Sequence, residues 1–425
     1  MRTRRLATVL ASCIAVVGIV TPAATGASLE ARVGTAVRQS AVGGSTSVYV
    51  WDQATRDVLY THTPSTAVTP ASTMKLLTSS AALAQLGPDH RFETKVALDG
   101  HQAGNRWIGD VWLIGGGDPS LSTYGFLRDN YGGRGANLAS LVAPLRTRGI
   151  EGVTGRIMVD DDLFDEQRWV EGWKPAFRFE EAGALGALTV NQSLVGRYVG
   201  SDSAHAPDLR AGTVFRQLLT RQGVFVAGPT ESGSVPEEAE IAGSVSSPPL
   251  EVLLEHMNRT SDNFYAETLL KQVGVARFGA RGTGSTEDGR RAARSVLSAI
   301  GIDMRPVTWV DGSGLAYGNR VTARTLGHVL GVGAQAEWGG DWIDSMATSG
   351  GHGTLRRRLT RPPYRGRVHA KTGTLNHASG LAGFSDRSSG RRYGFVVLTY
   401  DAAGRRINYS AARGLQDRIA AVLVR

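Results

Sequence analysis

Three short clusters carry side chains whose types and spacing suit nucleophilic chemistry. In Ser72-Thr73-Met74-Lys75 the hydroxyl and the amine stand three residues apart, so on a helix they share one face. A serine is a weak nucleophile unless a base sits beside it. A lysine can be that base only if desolvation, a neighbouring cation or a helix N-terminus pulls its pKa down. Ser261-Asp262-Asn263 adds a hydroxyl able to relay a proton and an amide able to grip a peptide backbone. Lys371-Thr372-Gly373-Thr374 adds a cation and two hydroxyls suited to a carboxylate. Its glycine lets another backbone approach closely.

Each cluster also has a plain reading: a capped helix with an exposed lysine, an N-cap, and a strand-end turn. The composition sharpens the choice. Only five lysines occur against 42 arginines, so a lysine followed by Thr-Gly is expected by chance on the order of 0.05 times. Other chemistries lack their residues. No Gly-x-Ser-x-Gly elbow and no His-Glu-x-x-His pair is present. Cys13 is the single cysteine, which excludes an intrachain disulfide and a thiolate metal site.

The elements that must position these clusters follow from periodicity. Thr46 to Trp51 and Asp57 to His62 read as a hairpin. Ser72 to Leu86 reads as a helix stopped by Gly87-Pro88. From Phe92 to Ser247 the chain is glycine-rich, with short strand-like pieces such as Val111 to Ile114 and Gly155 to Val159. Gly115-Gly116-Gly117-Asp118-Pro119 lacks the Lys-Ser/Thr of a phosphate loop and reads as a turn. Helical spacing returns over Leu250 to Asn258, Asn263 to Val273, Arg290 to Ile300 and Thr322 to Gly331. Strand composition marks Arg367 to Thr374, Ala378 to Ser385 and Tyr393 to Tyr400, and Tyr409 to Val424 closes as an amphipathic helix. The expected fold is α/β (α+β): an antiparallel sheet built from both chain ends, flanked by helices, with a glycine- and strand-rich insertion.

Helix, interhelix link and strand, in this order, resemble the serine penicillin-recognising enzymes. The chain is most similar to their class C low-molecular-mass penicillin-binding proteins, the D-alanyl-D-alanine carboxypeptidase/endopeptidases. Leu86-Gly87-Pro88-Asp89-His90-Arg91-Phe92, Gly116 to Leu121, Asp311-Gly312-Ser313-Gly314-Leu315 and Gly353-Thr354-Leu355 extend the resemblance. It implies a β-lactamase/transpeptidase-like domain over 28–92 and 248–425, with 93–247 inserted. It implies that Ser72 attacks the carbonyl between two D-alanines of a peptidoglycan stem peptide, with Lys75 taking its proton. Ser261 passes that proton on, and Asn263 holds the peptide. Lys371, Thr372, Gly373 and Thr374 form the carboxylate side, and the N–H groups of Ser72 and Thr374 hold the oxyanion. No metal or cofactor is implied, and β-lactams acylate Ser72 by the same route. Tyr317 stands where relatives that bind a free diaminopimelate end carry an arginine. Asp160 and Phe164 resemble the other side of that substrate pocket, and Arg320 is a candidate replacement cation. Two alternatives share the resemblance: a β-lactamase or esterase, or a non-catalytic wall- or penicillin-binding protein.

Residues 1–27 read as an export signal. Arg2, Arg4 and Arg5 precede an apolar stretch from Leu6 to Val20, with Ala24 or Ala27 at the cleavage site. The expected location is therefore extracytoplasmic, with no membrane span in the mature form. The chain has 425 residues and a net charge of +9. Without the signal, 44 basic residues face 38 acidic ones. Arg356-Arg357-Arg358 is the one tight basic run. It has no interleaved aromatic, so no nucleic-acid partner is expected.

Overall fold

The computed structural model describes residues 27–42, 45–195, 205–279 and 284–425. The signal expected over 1–27 lies outside them, except for Ala27.

Among the described residues two sheets form. The chain opens the first with β1 (Ser45–Asp52) and β2 (Val58–His62). It then builds the second from β3 (Glu93–Ala103), β4 (Arg106–Ile114), β5 (Gly152–Val153), β6 (Ile157–Asp160), β7 (Phe225–Val226), β8 (Thr230–Ser232) and β9 (Glu240–Ser246). It returns to the first with β10 (Ala347–Thr348), β11 (Val368–Leu375), β12 (Ala378–Asp386) and β13 (Arg392–Tyr400). The first sheet is antiparallel in the order β10-β11-β12-β13-β1-β2. Both chain ends therefore meet where β1 pairs with β13, Val48 opposite Val397.

Strand periodicity explains how this sheet is buried on both faces. Val48 and Val50 of β1 join Phe395 and Val397 of β13 in one core. Their neighbours Tyr49, Trp51, Val396 and Leu398 belong to another on the opposite face. Two helices cover the first face. Tyr409–Val424 is the expected closing helix, and it buries Leu415, Ile419 and Leu423. Leu29–Arg38 is not anticipated from the sequence. Ser28 caps it, and Val33, Ala36 and Val37 pack into the same core.

Helices Lys75–Leu86, Leu250–Thr260, Asn263–Phe278, Thr286–Ala299 and Ala323–Gly333 contribute to the core on the other face. Asn263–Phe278 is their centre: every residue from Asn263 to Gly274 is buried, as expected of a helix surrounded by packing. The helix expected from Arg290 begins four residues earlier, because the Ser285 hydroxyl accepts from the Asp288 N–H at 2.9 Å and caps it there.

The second sheet is mixed. β3 pairs antiparallel with β4 and β9, while β5 and β6 run parallel to β4. The strand-like pieces around Val111 and Ile157 thus become direct partners. Helix Pro207–Arg221 covers one face through Ala211, Phe215 and Leu219. A connection from this region reaches the first unit. Trp173 Nε1 donates to Asp311 Oδ2 at 2.8 Å, and Asn263 Nδ2 donates to the Glu181 carbonyl at 3.0 Å. No helix among the described residues is long and apolar enough to cross a membrane.

Candidate active site

Ser72 lies in the 3-10 turn Ala71–Met74, and Lys75 begins the following α-helix. Ala71 adopts a left-handed φ of 49°, a conformation costing an L-residue roughly 1 kcal/mol or more. Its surroundings enforce it: the Ala71 carbonyl lies against Gly314, where a side chain would come within 2.0 Å of that oxygen. The conformation turns the Ser72 hydroxyl toward Lys75, whose Nζ is 3.3 Å from Ser72 Oγ. Nζ also donates to Asn263 Oδ1 at 2.6 Å and to the Ser313 carbonyl at 2.8 Å.

Lys75 is fully buried. Desolvation lowers its pKa from 10.5 to about 8, although Asp311, Glu267, Asp262 and Glu181 all pull the other way. Burial wins because those carboxylates are committed elsewhere. Glu267 accepts the N–H groups of Gly312 and Ser313, at 2.9 and 2.8 Å. Burial and Asp311 raise the Glu267 pKa. Asp311 is ringed by donors from Trp173, Gly314, Ala316 and Asn319. A neutral amine could keep its bonds to Asn263 and Ser313 and turn its lone pair to Ser72.

Ser261 caps helix Leu250–Thr260 in the left-handed region, φ 67° and ψ 36°. Its hydroxyl accepts from Lys371 Nζ at 2.8 Å. Lys371 is also fully buried, and desolvation together with the Lys75 charge holds its pKa well below the usual lysine value. Asp262 caps the next helix by accepting the Tyr265 N–H at 3.0 Å. That cap fixes the turn from which Ser261 and Asn263 project. Asn263 bridges the cleft: its oxygen takes Lys75, and its nitrogen donates to Glu181. The amide expected to hold a peptide is thus occupied by the protein's own Glu181.

On β11, Gly373 lies against the Ser72 turn. A Cβ there would sit 2.8 Å from the Pro70 carbonyl and 3.0 Å from the Ser72 nitrogen. Thr372 Oγ1 donates to Thr354 Oγ1 at 2.8 Å, and Thr374 is exposed. The fold therefore brings Ser72, Lys75, Ser261, Asn263, Lys371, Thr372, Gly373 and Thr374 to one cleft.

Asp160 and Phe164 are not brought to that cleft. Asp160 ends β6, and its carboxylate accepts the N–H groups of Asp162 and Val235, at 3.0 and 2.9 Å. It is consumed in closing turns of the second sheet. Phe164 packs against Gly117 and Gly284 and lines a separate cavity with Asp161, Asp165 and Arg168. Among the described residues no hydrogen bond, ion pair or ring contact joins either one to the Ser72 cluster. Arg320, the candidate replacement cation, commits its Nη1 to Thr69 Oγ1 and to the carbonyls of Tyr317 and Asn319.

Tyr317 packs in the small apolar cluster of Ala71, Leu375, Ala378 and Phe177. Its ring stacks on Phe177 with centroids 6.3 Å apart and lies 4.7 Å from the His377 ring. Lys174 Nζ sits over it at 4.1 Å. Lys174, Phe177 and Glu181 went unnoticed in the sequence. They lie in the irregular glycine-rich region and carry no motif, so only the connection from the second sheet shows where they go.

Comparison with known proteins agrees with this geometry. The model of the D-Ala-D-Ala carboxypeptidase 3 (S13) family matches residues 29–181 and 186–422. A D-alanyl-D-alanine carboxypeptidase of an Actinomadura species is 29% identical, over 89% of this chain and 81% of that protein. A carboxypeptidase of Mycolicibacterium smegmatis is 32% identical, over 83% of this chain and 75% of its own length. The solved structure of penicillin-binding protein 4 from Haemophilus influenzae covers 92% of this chain and 99% of that one. Its TM-score is 0.79 at 21% identity, so it shares the fold.

Proposed function

Because this chain belongs to the D-Ala-D-Ala carboxypeptidase 3 (S13) family, we propose that its cleft hydrolyses the D-Ala-D-Ala bond of peptidoglycan stem peptides through an acyl-enzyme on Ser72. The chain is a serine-type D-Ala-D-Ala carboxypeptidase. One observation carries the residue assignment. Two buried ammonium groups, 296 positions apart in sequence, each touch a serine hydroxyl: Lys75 with Ser72 at 3.3 Å and Lys371 with Ser261 at 2.8 Å.

Neutral Lys75 takes the Ser72 proton as Oγ attacks the carbonyl carbon. The oxyanion develops between the turn and β11, where the N–H groups of Ser72 and Thr374 stabilise it without reorganisation. The substrate's terminal carboxylate meets Lys371, Thr372 and Thr374. It supplies the counter-charge that burial denies Lys371 in the free enzyme. Ser261 delivers a proton to the departing amine, the C–N bond breaks, and water releases the acyl group. Asn263 keeps Lys75 oriented and gives its amide to the peptide when Glu181 yields. A β-lactam follows the same first step. In this reading 28–92 and 248–425 form the peptidase unit and 93–247 the insertion. The protein works outside the cytoplasm, where such peptides are found.

The test is labelling by fluorescent penicillin alongside D-alanine release from a D-Ala-D-Ala peptide. The expected result is a persistent adduct together with released D-alanine, and neither from Ser72→Ala. Rapid label loss with antibiotic turnover would make the protein a β-lactamase. An adduct retained in Ser72→Ala would remove the nucleophile assignment.

A further inference from the structure

The basic run Arg356-Arg357-Arg358 acquires a place in the fold that the reaction above leaves unused. A cavity of about 360 Å³ opens at Thr372 and Thr374 and is lined beyond them by Arg356, Arg357, Arg358 and Arg413. No carboxylate lines it. Arg358 is anchored: it binds Asp417 at 2.7 Å and the buried Gln416 at 3.1 Å. Arg356, Arg357 and Arg413 are exposed, and none of them is paired with an acidic side chain among the described ion pairs. Three cations without counter-charge around one concavity form a focused positive field. Guanidinium forks also match carboxylate geometry.

The cavity's position says which part of a substrate it meets. A second cavity of about 340 Å³ is lined by Ser261, Asn263 and Glu181, on the side that holds the acyl half. The arginine cavity begins at the threonines that take the terminal carboxylate, so it lies beyond the leaving residue. D-alanine ends in a methyl group and has nothing to offer these cations.

We propose that the arginine-lined cavity is a leaving-group subsite for a residue bearing a second carboxylate. Such a residue occurs where the leaving amine belongs to a diamino-dicarboxylic residue in a cross-link between two stem peptides. The proposal rests on the Ser72 reaction described above. The bonds are those of that reaction: the acyl carbon joins Ser72 Oγ, the C–N bond to the cross-linking amine breaks, that amine takes the proton from Ser261, and water frees the acyl half.

The experiment uses three peptides with one acyl half, ending in D-Ala-D-Ala, D-Ala-D-Glu or D-Ala-D-Gln. Glutamate and glutamine differ only in charge at the position the arginines face. The wild-type protein should cleave the D-Glu peptide at least about tenfold faster in kcat/KM than the D-Gln peptide at low salt, with the gap closing as ionic strength rises. In the Arg356→Gln, Arg357→Gln, Arg413→Gln triple variant the two rates should converge, with D-Ala-D-Ala cleavage within about twofold of wild type. A cross-linked stem-peptide dimer should lose rate in that variant as the D-Glu peptide does. Equal wild-type rates on D-Glu and D-Gln overturn the subsite, and they need no variant to be read. A preference that survives the triple substitution also overturns it. Failure of the Ser72 reading is distinguishable, because D-Ala-D-Ala cleavage and penicillin labelling would then both be absent.

Discussion

Consider replacing Lys75 by arginine, which keeps a cation at the site but removes the possibility of a neutral base. Burial holds the Lys75 pKa at about 8 instead of 10.5, a difference equivalent to about 3 kcal/mol. At pH 7 roughly a tenth of Lys75 is then neutral, against roughly one part in 3000 for an unperturbed lysine. Burial therefore raises the supply of base about 300-fold at that pH. Acylation of Ser72 by a fluorescent penicillin, followed from pH 6 to 10, should rise about tenfold per pH unit and level off near pH 8. Lys75→Arg and Lys75→Ala should each lose at least about 100-fold, the scale of general-base catalysis, and the inflection should vanish. An inflection near pH 10, or one at pH 8 that persists in Lys75→Ala, would refute the assignment.

The same shift has a stability signature with a definite sign. The folded-state pKa lies below the unfolded one, so the charged lysine is penalised in the fold. Below pH 8 both states hold the proton and the penalty of about 3 kcal/mol is complete. It fades between pH 8 and 10.5, where only the unfolded state still binds the proton. The stability difference between wild type and Lys75→Met should move in the wild type's favour across that window.

Two further outcomes follow from the cleft. Gly373→Ala places a methyl group 2.8 Å from the Pro70 carbonyl and 3.0 Å from the Ser72 nitrogen, forcing β11 off the turn; kcat/KM should fall at least about tenfold, since misplacement of about 1 Å costs up to ~100-fold, and an unchanged kcat/KM would show that the close approach is not needed. Glu181→Gln removes a carboxylate that raises the Lys75 pKa, so the acid limb of the acylation profile should move to lower pH, and movement to higher pH would contradict the charge arrangement described.

The sequence alone determined what depends on near neighbours. The Ser72–Lys75 spacing, the Asp262 cap before Asn263, the β1–β2 hairpin and the alternation along β13 are set within a few residues. Their side chains appear where the periodicity puts them. The three motifs were legible for the same reason, since the chemistry requires fixed residue types at short separations.

Tertiary structure decided everything that depends on what arrives from afar. A lysine becomes a base only when Asn263, Ser313 and the surrounding core strip it of water, and burial is not a property of four residues. Asp160 carries a carboxylate suited to a substrate pocket, yet the N–H groups of Asp162 and Val235 consume it. Glu181, Phe177 and Lys174 bear no pattern and reach the cleft only because Trp173 ties their segment to Asp311. Arg356 and Arg357 were visible as a run, but the helix that brings Arg413 beside them begins more than fifty residues later. Their meaning lies in that convergence.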